Sequence, residues 1–432
     1  MKLHKASFRL AVALTCVATT LINAQPSVRV ADVAPIEARS TSTFGNVFGV
    51  APLANNRLLV NDGVSRQLTI LDSKLQFAKI LLDSIDSGPA KYGRGPIPLI
   101  SYHRDSVLFF DFESKTFRLI APSGEIVRTI SLPAPSNFLE LIYNPSYTDD
   151  RGNLYYRLQA PRARLAQDKD GSRKVFPPVD STSVLRTNFE TRTIDTVARI
   201  RPKIAQVIFS GIDGRNHTRL DPVVAVDDWA LLSDGSIALI RGHDYHIDWI
   251  APNGMKFSSP KLPFDWKRIT DDEKRALMDS AKKADDAQVE LEFEREKART
   301  SAGTNTGPVV AAGSASGAGG EMPFPAYKPL SAPSYRIADP VPLSEIADYY
   351  PPIRPNAAKA DLDNHLWILP TTSAQSKNGE LIYDVVNNRG VLLKRVRMPV
   401  GRSIAGFGKG GVLYLMGRDT NNRWFVERTH VQ

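Results

Sequence analysis

Short apolar runs recur along the chain, each opened by a turn residue: NNRLLV at Asn55, RDSVLFF at Arg104, RGNLYY at Arg151, DGSIALI at Asp234, DNHLWIL at Asp363 and GGVLYLM at Gly410. A turn signal followed at once by a brief apolar or β-branched run predicts a buried strand, not a helix. The residues after each run also align. Asp105 to Pro133 matches Ser236 to Pro263 at a constant offset of 130, placing Ile250 on Ile120, Gly254 on Gly124 and Pro263 on Pro133. An offset of 49 puts Asp62 on Asp111 and Leu68 on Phe117, and one of 266 puts Gly390 on Gly124 and Pro399 on Pro133.

From Asn56 through Asp105, Gly152, Gly235, Asn364 and Gly411 the steps are 49, 47, 83, 129 and 47. A base step near 47 fits the roughly 40 to 50 residues of a four-stranded blade, so the chain is expected to be all-β, a six-bladed β-propeller over 25–432. The last copy supplies only three strands, SIAGFG, GVLYLM and RWFVERTH. Sheets avoid such an open edge, and SVRVADVAP, Ser27 to Pro35, is expected to join the last blade as its outer strand.

The two long steps locate insertions. One covers 159–180, between the second and third strands of blade three; the other covers 265–350, between blades four and five. In the second, Thr270 with Glu273 forms a capping box that predicts a charged helix over 270–298, followed by a low-complexity segment, 300–321, expected to be disordered. Strand direction alternates within a blade, so second-to-third hairpins and blade-to-blade connectors emerge on one face of the ring. Both insertions crown that face, where binding is expected.

The first residues read as an export signal. Lys2, Lys5 and Arg9 precede an apolar run from Leu10 to Ile22, and Asn23-Ala24 suits cleavage, so 1–24 is expected to be a signal peptide and the protein periplasmic or extracellular. That run is too short for a span, and no transmembrane segment is expected. Cys16, the single cysteine, lies inside it, and the residues before it fit lipoprotein anchoring poorly. Removing Lys2, Lys5 and Arg9 takes the formal charge from +9 to +6. Cations and anions are interspersed, which argues against a nucleic-acid partner.

LLVNDGVSRQLTILDSKLQFAKIL resembles an NHL-type blade, with a strand ending in Asp and a basic residue opening the next. DGSIALIRGHDYHIDWIAPNG and YYPPIRPNAAKADLDNHLWIL are similar to exported bacterial six-bladed propellers of the NHL-repeat and TolB-like group. That resemblance implies the fold and is nearly silent on activity. Asn61, Asp62, Asp111, Arg157 and Arg241 fall in matching columns at the ends of second strands. As a set they would hold an anion through the guanidinium groups, or a divalent cation such as calcium through the carboxylates, since hard cations take oxygen ligands. The competing reading makes Asp62 with Arg66 and Asp111 with Lys115 braces of their own turns. HDYH, His243 to His246, reads as a surface hairpin, and Trp249 and Trp367 as core. No nucleophile elbow, phosphate loop or helical zinc motif is present.

The resulting expectation is a monomeric, non-catalytic binding or scaffold propeller without a cofactor, engaging a protein or small-molecule ligand. The alternative is a metal-dependent lactonase or hydrolase of the gluconolactonase type, against which Arg157 and Arg241 would place positive charge.

Overall fold

The computed structural model describes residues 28–431 apart from 87–90, 94–97, 104, 112–113, 132–145, 159–163, 168–172, 177–179, 203–205, 210–215, 302–336 and 375–378. Segment 1–24 and almost all of 300–321 therefore lie outside the described residues.

Six four-stranded blades form the body of the protein. Blade one comprises Val47–Pro52, Leu58–Asp62, Gln67–Leu71 and Phe77–Asp83; blade two Leu99–Tyr102, Ser106–Asp111, Thr116–Ile120 and Ile126–Ser131. Blade three uses Ser146–Thr148, Asn153–Arg157, Thr182–Asn188 and Ile194–Ile200; blade four Asp228–Leu231, Ile237–Arg241, His246–Ile250 and Lys256–Ser258. Blade five has Ala358–Ala360, His365–Ile368, Ile382–Asn387 and Leu392–Arg397; blade six has Ser403–Phe407, Val412–Arg418, Trp424–His430 and Ala38–Arg39. First strands touch one another in turn from blade six through blade one to blade five. At the remaining junction Trp367 lies 5.5 Å from Phe407, and Asp363 accepts the N–H groups of Gly410 and Gly411.

Burial explains the sequence pattern. A second strand has a blade on either face, so LLVND is buried at every position and SVLFFD at all but its first. Outer strands meet water and read differently: FAKILLD is exposed over its first four residues. The turn signals have a shared chemistry. Asp72, Asp149, Asp361, Asn387 and Asp419 each accept backbone N–H groups two and four residues ahead with one side-chain oxygen. Such Asx turns close hairpins between consecutive strands within blades one, three, five and six.

The N-terminal region closes the ring, divided differently from the expectation for Ser27 to Pro35. Val30–Asp32 lies parallel to Arg395–Arg397 as a fifth strand of blade five, and the fourth strand of blade six is Ala38–Arg39. From Val33 to Phe44 the chain is stitched along the last strand. Ala34, Glu37, Ser40 and Phe44 donate their N–H groups to His430, Arg428, Val426 and Trp424, each within 2.9 Å. The change of partner falls between Asp32, opposite Arg397, and Val33, opposite Val431; Pro35, which lacks an N–H, falls within the blade-six pairing.

The insertions share one face, as the alternation of strand direction requires. In blade three, Arg164–Gln167 pairs with Arg173–Phe176. The connector after blade three supplies Gln206–Phe209 and Asn216–Leu220, and the later insertion adds Ile337–Pro340 parallel to the latter, making a three-stranded sheet. The helix Asp271–Ser301 starts at the expected capping box: Thr270 N–H donates to Glu273 Oε2 at 2.9 Å, and Glu273 N–H to Thr270 Oγ1 at 3.2 Å. Its first turns are anchored to the insertion. Met278 joins Val223, Ile269, Val341, Ile346 and Tyr350 in a small core, and the buried Lys274 ammonium donates to Ile346 O, Leu343 O and Asp348.

Candidate functional site

All six first-to-second turns surround the axis at one end of the ring, and between them opens a cavity of about 550 Å³. Blade one contributes Pro52 to Ala54, blade two Leu99 to His103, blade three Tyr147 to Asp150, blade four Leu231 to Ser233, blade five Ala360 to Leu362, and blade six Lys409 and Tyr414. This mouth lies on the face opposite the insertions, because those turns and the second-to-third hairpins occupy opposite strand ends. Over it, Lys409 of blade six reaches Asp105 of blade two at 2.7 Å. Two of the acids at the rim already have structural work: Asp149 accepts from Asn153 and Tyr155, and Asp361 from His365 and Trp367.

Beyond the residues that line the cavity, three charged groups stand on the strands of blades three to five. Asp228 opens blade four's first strand, three residues and so about 10 Å before the cavity residue Leu231. Lys359, on blade five's first strand, directly precedes the cavity residue Ala360. Arg157 ends blade three's second strand. Burial dominates Asp228 and pushes its carboxyl up to about 6, although the backbone N–H groups of Ala358, Trp229 and Ala357 and the Arg157 guanidinium favour its charged form. Burial likewise draws Lys359 below its ordinary value, with Asp228 opposing. Arg157 is lowered for the same reason and against the same carboxylate. The phenol of Tyr147, which lines the cavity, is pushed up by burial and then by Asp228, tying the cavity floor to the charged group.

Among the residues singled out from sequence, Asn61 accepts from Tyr92 Oη at 2.8 Å inside blade one. Asp62 accepts the N–H groups of Gly45, Asn46, Val64 and Ser65 and the Ser65 hydroxyl. Burial pushes that carboxyl up, but these donors outweigh it and hold it below its ordinary value. The described brace is therefore backbone, whereas Arg66 turns away to Tyr92 O and Gly93 O. Asp111 is paired with Arg118, three residues past the expected Lys115. Arg241 bridges Asp227 and Asp248 at 2.7 Å each, locking blade four to the connector before it. Among the described residues the contacts of Asn61, Asp62, Asp111 and Arg241 lie in separate places, and Arg157 interacts electrostatically with Asp228.

His246 is held between Asp244 at 2.6 Å and Asp248 at 3.2 Å in the expected hairpin. Among the described residues no three His, Cys, Asp or Glu side chains come together as a metal site. Asp228 and Lys359 were passed over in sequence. Their one signal was a charge among the apolar residues of a short strand, in DWAL and AKA.

The strand pairing and this axial cavity define the class: a six-bladed β-propeller with a ligand-sized channel. No family model and no curated protein matches the chain. Among solved structures, it is similar to a member of the DUF4221 family from Bacteroides vulgatus, at 10% identity over 93% of this chain and 96% of the other, with a TM-score of 0.41. A virginiamycin B lyase from Staphylococcus aureus aligns at 10% identity over 90% and 97%, with a TM-score of 0.37. A gluconolactonase from Xanthomonas campestris aligns at 10% over 93% and 98%, with a TM-score of 0.32. The assignment to the propeller class rests on the strand pairing. Among the described residues no helix is long and apolar enough to cross a membrane.

Proposed function

We propose that this protein is a binding propeller that takes a small organic ligand into its axial channel from the first-to-second-turn face. The observation that carries this reading is the cavity to which every blade contributes. Its volume of about 550 Å³ falls within the roughly 300 to 1,000 Å³ of small-molecule sites. Its wall combines apolar Ile100, Val107 and Leu231 with the hydroxyls of Thr148, Ser233 and Tyr414. The expected protein-docking role of the opposite face stays with the insertion sheet and helix, as a second surface. Export to an oxidising compartment remains part of the proposal, supported by the charged-then-apolar order of residues 1–24 and by Cys16 being the single thiol.

Ligand-observed NMR with a library of small polar organics tests the channel. Compounds that bind wild type are expected to lose binding to Asp150→Trp, which fills the mouth from an exposed turn position. Hits that bind this variant equally well, or a library without hits, would refute the channel as the binding site. Export is checked by N-terminal sequencing of protein recovered outside the cytoplasm, expected to begin at Gln25.

A further inference from the structure

We propose that the ion pair between Lys409 and Asp105 is a strap across the channel mouth, which slows entry and escape of the ligand and loosens as ionic strength rises; this rests on the channel-binding reading above. Both residues line the cavity, and their charged ends meet at 2.7 Å. They belong to blades six and two, which flank blade one and do not adjoin each other. The pair therefore runs as a chord past blade one's turn, Pro52 to Ala54, and not along the rim.

The strap is fixed at its bases and loose at its tips. Asp363 of blade five accepts the Gly410 N–H at 3.0 Å and the Gly411 N–H at 2.7 Å, and the Gly408 N–H donates to Val412 O at 2.9 Å. Lys409 is thus mounted on a turn held from both sides. Gly410 and Gly411 have φ of 71° and 75°, the left-handed region that favours glycine. At the other end the Ser106 N–H donates to His103 O at 3.4 Å across the turn that carries Asp105. The two side chains are 68% and 64% exposed, and among the described residues neither makes another hydrogen bond or ion pair. A pair so exposed favours the closed arrangement by only about 1.5- to 5-fold. Such a strap opens without moving a blade, and salt screens it further.

Alkylation of a single cavity thiol tests this without a ligand. Cys16→Ser with Ala360→Cys leaves one thiol, on the cavity wall. Cys16→Ser with Val64→Cys puts it instead on an exposed second-to-third hairpin of the opposite face, as the control. N-phenylmaleimide, uncharged and as broad as a small organic ligand, is the reagent. In about 0.01 M sodium chloride, Lys409→Met is expected to speed labelling of the Ala360→Cys chain about 2- to 6-fold. Asp105→Asn, which breaks the pair from the other side, should match it. About 1 M salt, where screening acts within roughly 3 Å, should bring the strapped chain to the same rate and leave Lys409→Met unchanged. The Val64→Cys chain should respond to neither change. Equal low-salt rates with and without the pair, a salt effect that survives Lys409→Met, or the same acceleration in the Val64→Cys chain each overturns the strap and leaves the channel standing. Failure of the Ala360→Cys chain to react in every background, while the Val64→Cys chain reacts, would remove the channel and the strap with it.

Discussion

Replacing Asp228 by asparagine removes a charge and keeps the shape. The side chain is 5% exposed, and burial pushes its carboxyl from the ordinary 3.8 up to about 6. At about 1.36 kcal/mol for each tenfold change in proton affinity, that gap is worth about 3 kcal/mol of unfavourable charge burial. An acid whose folded value is raised binds its proton more tightly in the native state, so stability falls as pH climbs from 3.8 towards about 6 and stays lower above it. Asparagine copies the protonated acid and retains an oxygen for the Ala358 N–H. Asp228→Asn is therefore expected to be more stable than wild type by up to about 3 kcal/mol at neutral pH. The two proteins should converge below the ordinary carboxyl value. Urea unfolding of both across that pH range measures the difference. A variant less stable than wild type at neutral pH, or a difference that ignores pH, would refute the reasoning. Such a result would mean that Arg157 and Lys359 need this carboxylate more than its burial costs.

Two further changes probe the frame. Asp62→Ala strips one acceptor from four N–H groups and is expected to cost about 3 kcal/mol or more in urea unfolding; Asp62 itself, held below its ordinary value, lends wild type stability that disappears as acid drives the pH through that depressed value. Deleting residues through Asp32 removes only blade five's fifth strand and should lower the melting temperature by a few degrees, whereas deleting through Ser40 strips blade six of its fourth strand and should abolish a single cooperative melt in calorimetry; equal losses from the two would contradict the division of the N-terminal region.

The ring was legible in the sequence because second strands carry the strongest signal a blade has. Buried on both faces, VLFF and IALI are continuous apolar runs, and turn residues mark the start of each. The N-terminal closure followed from counting strands, but which residues would do it did not: Val30–Asp32 and Ala38–Arg39 are too short to carry a pattern, and the change of blade falls between Asp32 and Val33 with no turn residue to mark it. The site was hard to see for a related reason. Columns shared by several blades, such as Asp62 with Asp111, repeat because each carboxylate is engaged in internal bracing, Asp62 by backbone N–H groups and Asp111 by Arg118, so repetition selects for structure. The channel is lined by first strands of few residues, DWAL and AKA among them, where one blade's Asp228 and another's Lys359 have no counterpart to align with. Function in a ring of copies sits where the copies differ.

Closure also sets an order of events. Ser40 and Val426 bond across 386 residues of chain, so a nascent chain emerging from its amino end carries one half of the joint throughout synthesis, with its partner not yet made. Every intermediate length leaves blade six without a mate for that edge, and contacts so distant along the chain form slowly. Completion of the channel is therefore deferred to the last moments of assembly, and a shortened chain that lacks Trp424–His430 would present raw strand edges in place of a binding cavity.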